Sequence, residues 1–113
     1  MSEFCLEKIR MNVVETAPNG VVNLDTIFTF SQQDGIVSAE YAGGKIQKGF
    51  LIGSLMENHL TFSYCQLQTN GKLDNGSSSC ELKKMENGKI QMIENFQWAT
   101  RENQHGTNVF QEL

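Results

Sequence analysis

The sequence predicts an all-β protein, an antiparallel up-and-down β-barrel of about eight strands, with a two-layer β-sandwich as the alternative. Three observations carry this. Turn dipeptides recur along the chain: Asn19-Gly20, Asp34-Gly35, Gly43-Gly44, Asn70-Gly71, Asn75-Gly76 and Asn87-Gly88. Each favours chain reversal, because glycine and asparagine tolerate positive φ. The segments between them have strand length, and none holds an i, i+3, i+4, i+7 apolar stripe long enough to outrank a strand. The single proline, Pro18, sits in the first turn, so the strands are free of a residue that cannot donate to a ladder.

Taken in order, the first strand is expected near residues 9–15, with Ile9, Met11 and Val13 on one face. A loop through Pro18 leads to a second strand near 24–31, where Thr26, Phe28 and Phe30 share a face. The third, near 36–41, alternates Val37, Ala39 and Tyr41 against Ser38 and Glu40. Gly43 and Gly44 then make a tight turn into a fourth strand near 45–54. Gly49 and Gly53 lie on the same face of that strand as Leu51. Such bare positions let a sheet bend or let another group approach closely, so this hairpin is where the sheet is expected to curl.

The fifth strand, near 59–68, places Leu60, Phe62, Tyr64 and Gln66 together. Residues 72–79 are polar, and Asn75-Gly76 followed by three serines suggests a loop or bulge, with pairing resuming near 80–85. The seventh strand, near 89–100, alternates Ile90, Met92, Glu94, Phe96 and Trp98. A turn at 101–104 precedes a last strand near 107–113. Sequential hairpins imply antiparallel pairing, and pairing the first strand with the last removes both exposed edges. Apolar residues on both faces, such as Phe50 and Ile52 opposite Leu51, call for a second covering surface. A homodimer interface is the natural candidate.

At 113 residues the chain is expected to form a single barrel domain over 1–113, burying roughly two-thirds of its unfolded surface. A net charge of −4 with scattered basic residues argues against nucleic acid and against an anionic membrane surface as partners. The first residues hold no apolar stretch of the signal-peptide kind, and no segment approaches spanning length, so a cytoplasmic location is expected. Three cysteines without CxxC spacing suit reduced thiols, read as small buried hydrophobes, with a Cys65–Cys80 bridge as the lesser alternative.

No catalytic residues and no metal site are assigned. His59 and His105 are isolated from any ligand cluster, Lys45 lacks a phosphate-loop frame, and Ser77-Ser78-Ser79 lacks a nucleophile elbow. No cofactor is expected. The informative residues are polar ones on otherwise apolar faces. Tyr64, Gln66, Glu94 and Trp98 would line a lumen as an aromatic wall with a few oriented polar groups, the form of a small-molecule site. A buried carboxylate there needs a partner, and Arg101 or Lys48 would supply it from the rim.

The run from Tyr41 to Gly53, with Tyr64-Cys65-Gln66, Asn87 to Ile90, Gln97 to Thr100 and the closing Phe110 to Leu113, resembles a family of short bacterial proteins that carry the label N-acetylglutamate synthase. The label implies an acetyltransferase, which needs a mixed αβ domain with a pyrophosphate-binding loop leading into a helix; no such element is read in the sequence. The hairpin series and the Gln97-Trp98 strand also look like avidin-type and lipocalin-type barrels, a likeness of fold. Three function classes follow: a small-ligand-binding barrel, an interaction module that forms a homodimer, and the acetyltransferase that the label implies.

Overall fold

The computed structural model describes residues 4–99 and 104–113. Eight strands lie among them: β1 (Arg10–Glu15), β2 (Ile27–Gln33), β3 (Ile36–Gly43), β4 (Ile46–Met56), β5 (His59–Gln68), β6 (Leu73–Lys84), β7 (Ile90–Trp98) and β8 (His105–Glu112). Each pairs antiparallel with the next, and β1 pairs with β8, so the sheet closes into a barrel. The expected architecture therefore stands, and the sandwich alternative falls.

The alternation read from the sequence sets which side chains point inward. Phe28 and Phe30 of β2, Val37, Ala39 and Tyr41 of β3, Leu60, Phe62, Tyr64 and Gln66 of β5, and the stripe from Ile90 to Trp98 of β7 are all buried. Burying a large apolar side chain contributes about 1.5–3 kcal/mol, so these stripes supply the main drive for closure. Gly43 and Gly44 both adopt positive φ, as the tight β3–β4 turn requires.

Gly49 and Gly53 allow close packing inside the barrel. The Tyr41 ring lies across Gly49, and the backbone of Thr61 and Phe62 crowds Gly53. Both glycines sit opposite β3 and β5 at once, Gly49 between Tyr41 and Gln66 and Gly53 between Val37 and Phe62.

One expectation is corrected. β6 runs unbroken for twelve residues, with Asn75-Gly76 inside it rather than at a turn. The pairing explains this: Tyr64 and Trp98 flank Gly76 on the neighbouring strands, and the Tyr64 hydroxyl occupies the space where a Gly76 side chain would stand. Gly76 is a seat for an aromatic ring, and the inward serine Ser78 is small enough to sit beneath the same wall. β2 also starts later than expected, because Leu24 and Asp25 belong to a turn in which Asp25 N–H donates to Asn23 Oδ1 (2.8 Å).

The interior is polarised along its axis. The end that carries the β2–β3, β4–β5 and β6–β7 turns is apolar, packed with Met11, Phe30, Val37, Leu55, Leu60, Leu82 and Met92. The segment before β1 seals it with Phe4 and Leu6, held to β2 by a bond from Leu6 N–H to Gln32 Oε1 (2.8 Å). Every buried polar side chain among the described residues lies between the barrel's middle and its other end. Over that polar end runs the β1–β2 loop.

Candidate ligand site

Glu94 stands at the centre of the polar end. It is buried on β7, directly opposite Cys80 of β6 and Asn108 of β8. The Ser78 hydroxyl donates to its Oε2 (2.5 Å) and the Asn108 amide donates to its Oε1 (2.9 Å). Asn108 Oδ1 in turn accepts from the Thr16 hydroxyl (2.6 Å). The chain Ser78–Glu94–Asn108–Thr16 thus joins the lumen to the first residue of the β1–β2 loop.

Burial disfavours the carboxylate, and this outweighs the Ser78 and Asn108 bonds that favour it, so Glu94 titrates above its ordinary value. The same environment raises its neighbours. Burial, then the Glu94 charge, pushes up the Tyr41 hydroxyl and the Cys80 thiol.

Above Glu94, Tyr41 donates to Gln66 Oε1 (2.8 Å), and Gln68 donates to Asp74 Oδ2 (2.7 Å) nearer the rim. Aromatic rings form the wall. Phe28 stacks on Tyr41 with centroids 4.2 Å apart, and Trp98 meets Tyr64 and Phe96 edge-on at 5.9 and 5.7 Å. A cavity of about 30 Å³ remains among Tyr41, Tyr64, Gln66, Glu94, Trp98 and Asn108, roofed by Gly20, Val21 and Val22. By volume it holds one or two waters.

Several contacts hold the loop over this cavity. Besides the Thr16–Asn108 bond, Asn12 Nδ2 donates to the Leu24 carbonyl (3.2 Å), Asn19 Nδ2 donates to the His105 carbonyl (3.3 Å) and the Thr26 hydroxyl donates to the Gly43 carbonyl (3.1 Å), and Ala17 and Val21 pack against the core. Val22 is its one buried apolar side chain.

Four residues expected to line a lumen, Tyr64, Gln66, Glu94 and Trp98, are brought together around this cavity. Arg101 lies outside the described residues. Lys48 is corrected: alternation along β4 puts it on the outer face with Phe50 and Ile52, opposite Gly49 and Leu51, and its ammonium lies 5.5 Å from the centroid of the Phe50 ring. The sequence reading passed over Ser78, Asn108 and Thr16. Asn108 alternates with Phe110 on β8 and was open to the same reasoning as Glu94. Ser78 was obscured by the apparent break in β6, and Thr16 carries no local signal.

The cysteines also depart from expectation. Cys65 points outward and is exposed, as is Cys5, whereas Cys80 points inward. Opposite sheet faces rule out a Cys65–Cys80 bridge, because the side-chain vectors diverge. His59 and His105 are exposed, and no cluster of metal-binding residues occurs among the described residues.

The family model described as avidin-like protein matches residues 4–113. No curated protein and no solved structure matches the chain. The N-acetylglutamate synthase label finds no support, and the eight-stranded barrel offers no helix for a pyrophosphate loop to enter. By fold and by a match that spans nearly its whole length, the chain belongs to the avidin-like family.

Proposed function

We propose that this protein binds a small molecule at the polar end of its barrel, without transforming it. The observation that carries this reading is the segregation of the lumen. One end is plugged by apolar side chains, while Glu94, Asn108, Gln66 and Tyr41 face a residual cavity at the other. A purely structural barrel gains nothing from burying a carboxyl there, since desolvation costs stability. Membership of the avidin-like family supports the same reading. A ligand larger than two waters needs the lining to yield, and the β1–β2 loop, which roofs the cavity through Gly20, Val21 and Val22, is placed to move.

Trp98 is the only tryptophan and lines both the lumen cavity and the groove past Phe50 and Ile52, so its emission reports binding and the Glu94 variant assigns it to the lumen. A fragment library screened by Trp98 fluorescence and thermal shift tests the reading. A binder that shifts both signals in the native protein, and loses affinity in Glu94→Gln, supports it. A library that moves neither signal contradicts it.

A second reading concerns the outer face. Phe50, Ile52, Leu67 and Leu73 are exposed on adjacent strands β4 to β6, and an open groove of about 780 Å³ runs past Phe50, Ile52, Cys65, Ser77 and Gln97. Such a patch suits a homodimer interface. Sedimentation of the native protein and of Ile52→Lys tests it: a dimer that the lysine dissociates supports the reading, and a monomer at high concentration contradicts it.

A further inference from the structure

We propose that the molecule taken into the lumen carries a primary ammonium head, seated against the Glu94 carboxyl between the aromatic walls. The inference rests on the ligand-site reading above and names the chemistry that the site selects.

Charge comes first. Glu94 is a buried acid at the polar end, and no lysine, arginine or histidine among the described residues is buried beside it. Asp74 has Gln68 beside it near the rim. Glu94 sits deeper, and the two neighbours bonded to it are neutral. A buried carboxylate is best stabilised by a cation in direct contact, and among the described residues the chain supplies none. An incoming cation completes the pair.

Size comes second. The cavity of about 30 Å³ matches an ammonium or methylammonium tip, which is close to water in volume. A guanidinium or a ring is larger than that space and needs the lining to move. The remainder of such a ligand would lie towards Gly20 and Val21 beneath the loop.

The lining supplies the third argument. An ammonium has three donors and no acceptor. The cavity offers the Glu94 carboxyl together with the amide oxygens of Gln66 and Asn108, each of which accepts one bond from the protein and keeps a second lone pair. Phe28, Phe96 and Trp98 border the same space, and aromatic faces attract a desolvated cation. An anionic head would offer no counter-charge to Glu94 and would meet the ring faces with the wrong sign.

The proton balance gives a readout of its own. The raised titration of Glu94 widens the pH range in which the ligand-free protein holds the carboxyl proton. Seating R–NH₃⁺ against it forms the ammonium–carboxylate pair and sends that proton to solvent. Tyr41, Tyr64, Cys80 and Asp74 are other titratable groups of this region; burial pushes up Tyr41 and Cys80, which stay neutral near pH 7. Amine binding is therefore expected to tighten as pH rises towards the native-state titration of Glu94.

The test titrates the full chain with propylammonium, propionate and N-propylurea, following Trp98 fluorescence, and calorimetry in two buffers of different ionisation enthalpy. Propylammonium is expected to bind with release of up to about one proton per ligand, with the other two probes weaker. Glu94→Gln should weaken the amine at least ~10-fold, since a buried cation then lacks its counter-charge. Ser78→Ala, which keeps the carboxyl, should weaken it less and alter the proton release. Preference for propionate or propylurea would overturn the ammonium assignment while leaving the site in place. Amine binding that is indifferent to both substitutions would overturn it as well. Silence from these probes and from the whole fragment library would sink the site reading itself.

Discussion

The Ser78 hydroxyl meets the Glu94 carboxyl at 2.5 Å although the two residues are not directly paired; Ser78 faces Phe96 across the ladder, and Glu94 faces Cys80. They are diagonal neighbours on the inner face of adjacent strands, within reach of short side chains in a twisted sheet. Asn108 holds the other carboxylate oxygen from the opposite flank. Glu94 is thus clamped by both neighbouring strands, and the clamp fixes its orientation towards the cavity.

The raised titration of Glu94 sets the sign of a pH effect on folding. Below its ordinary value of 4.5, folded and unfolded chains both hold the proton and the group adds no dependence. As pH climbs past that value, the unfolded chain releases the proton while the folded chain keeps it, so stability falls until Glu94 ionises in the native state too. As pH rises above about 5, melting temperatures of the native protein should therefore decline more steeply than those of Glu94→Gln. Parallel curves would contradict the burial of an uncompensated carboxyl.

Substitutions at the two lumen glycines of β4 should separate backbone crowding from side-chain crowding. A Cβ at Gly53 would meet the Thr61 carbonyl at 1.9 Å, and one at Gly49 would meet the Tyr41 ring at 2.4 Å. Overpacking of this kind costs about 1–3 kcal/mol. Gly53→Ala should be the worse, because backbone cannot swing aside. Gly49→Ala should displace Tyr41 and break its bond to Gln66. Denaturant unfolding measures the first effect, and unchanged midpoints for both variants would contradict the packing.

Loop closure over the lumen depends on Thr16. Removing its hydroxyl in Thr16→Val takes away the donor to Asn108, at a cost of about 1 kcal/mol. Amide exchange across residues 17–25 should quicken while the β4–β6 core stays protected. Equal exchange in both proteins would mean that the loop is held by other contacts.

Thiol reactivity follows exposure. Cys5 and Cys65 are exposed and Cys80 is buried with its thiol titration raised, so a disulfide reagent should modify two thiols in the native protein and three after unfolding. Rapid modification of Cys80 in the native state would contradict its place inside the barrel.

Much of the barrel was legible because period-two alternation is a local signal. The stripes Phe28–Phe30, Leu60–Gln66 and Ile90–Trp98 declare their inner faces within a few residues, and Tyr64, Gln66, Glu94 and Trp98 are found by asking which polar groups share those stripes. What stayed hidden depends on pairing between distant strands. Gly76 reads as a turn residue until Tyr64 is placed across from it. Ser78 reads as loop solvation until Glu94 arrives from β7. Register decides each of these, and register is a property of two strands at once.

Side-chain NMR of the labelled protein during titration with fragment binders is the most direct test of a ligand site in the polar half of the lumen. The expected result is that the Trp98 indole and the Gln66 and Asn108 amide signals shift together with backbone signals of residues 20–22. Shifts confined to the neighbourhood of Phe50 and Ile52 on the outer face, with the Trp98 indole unmoved, would contradict it.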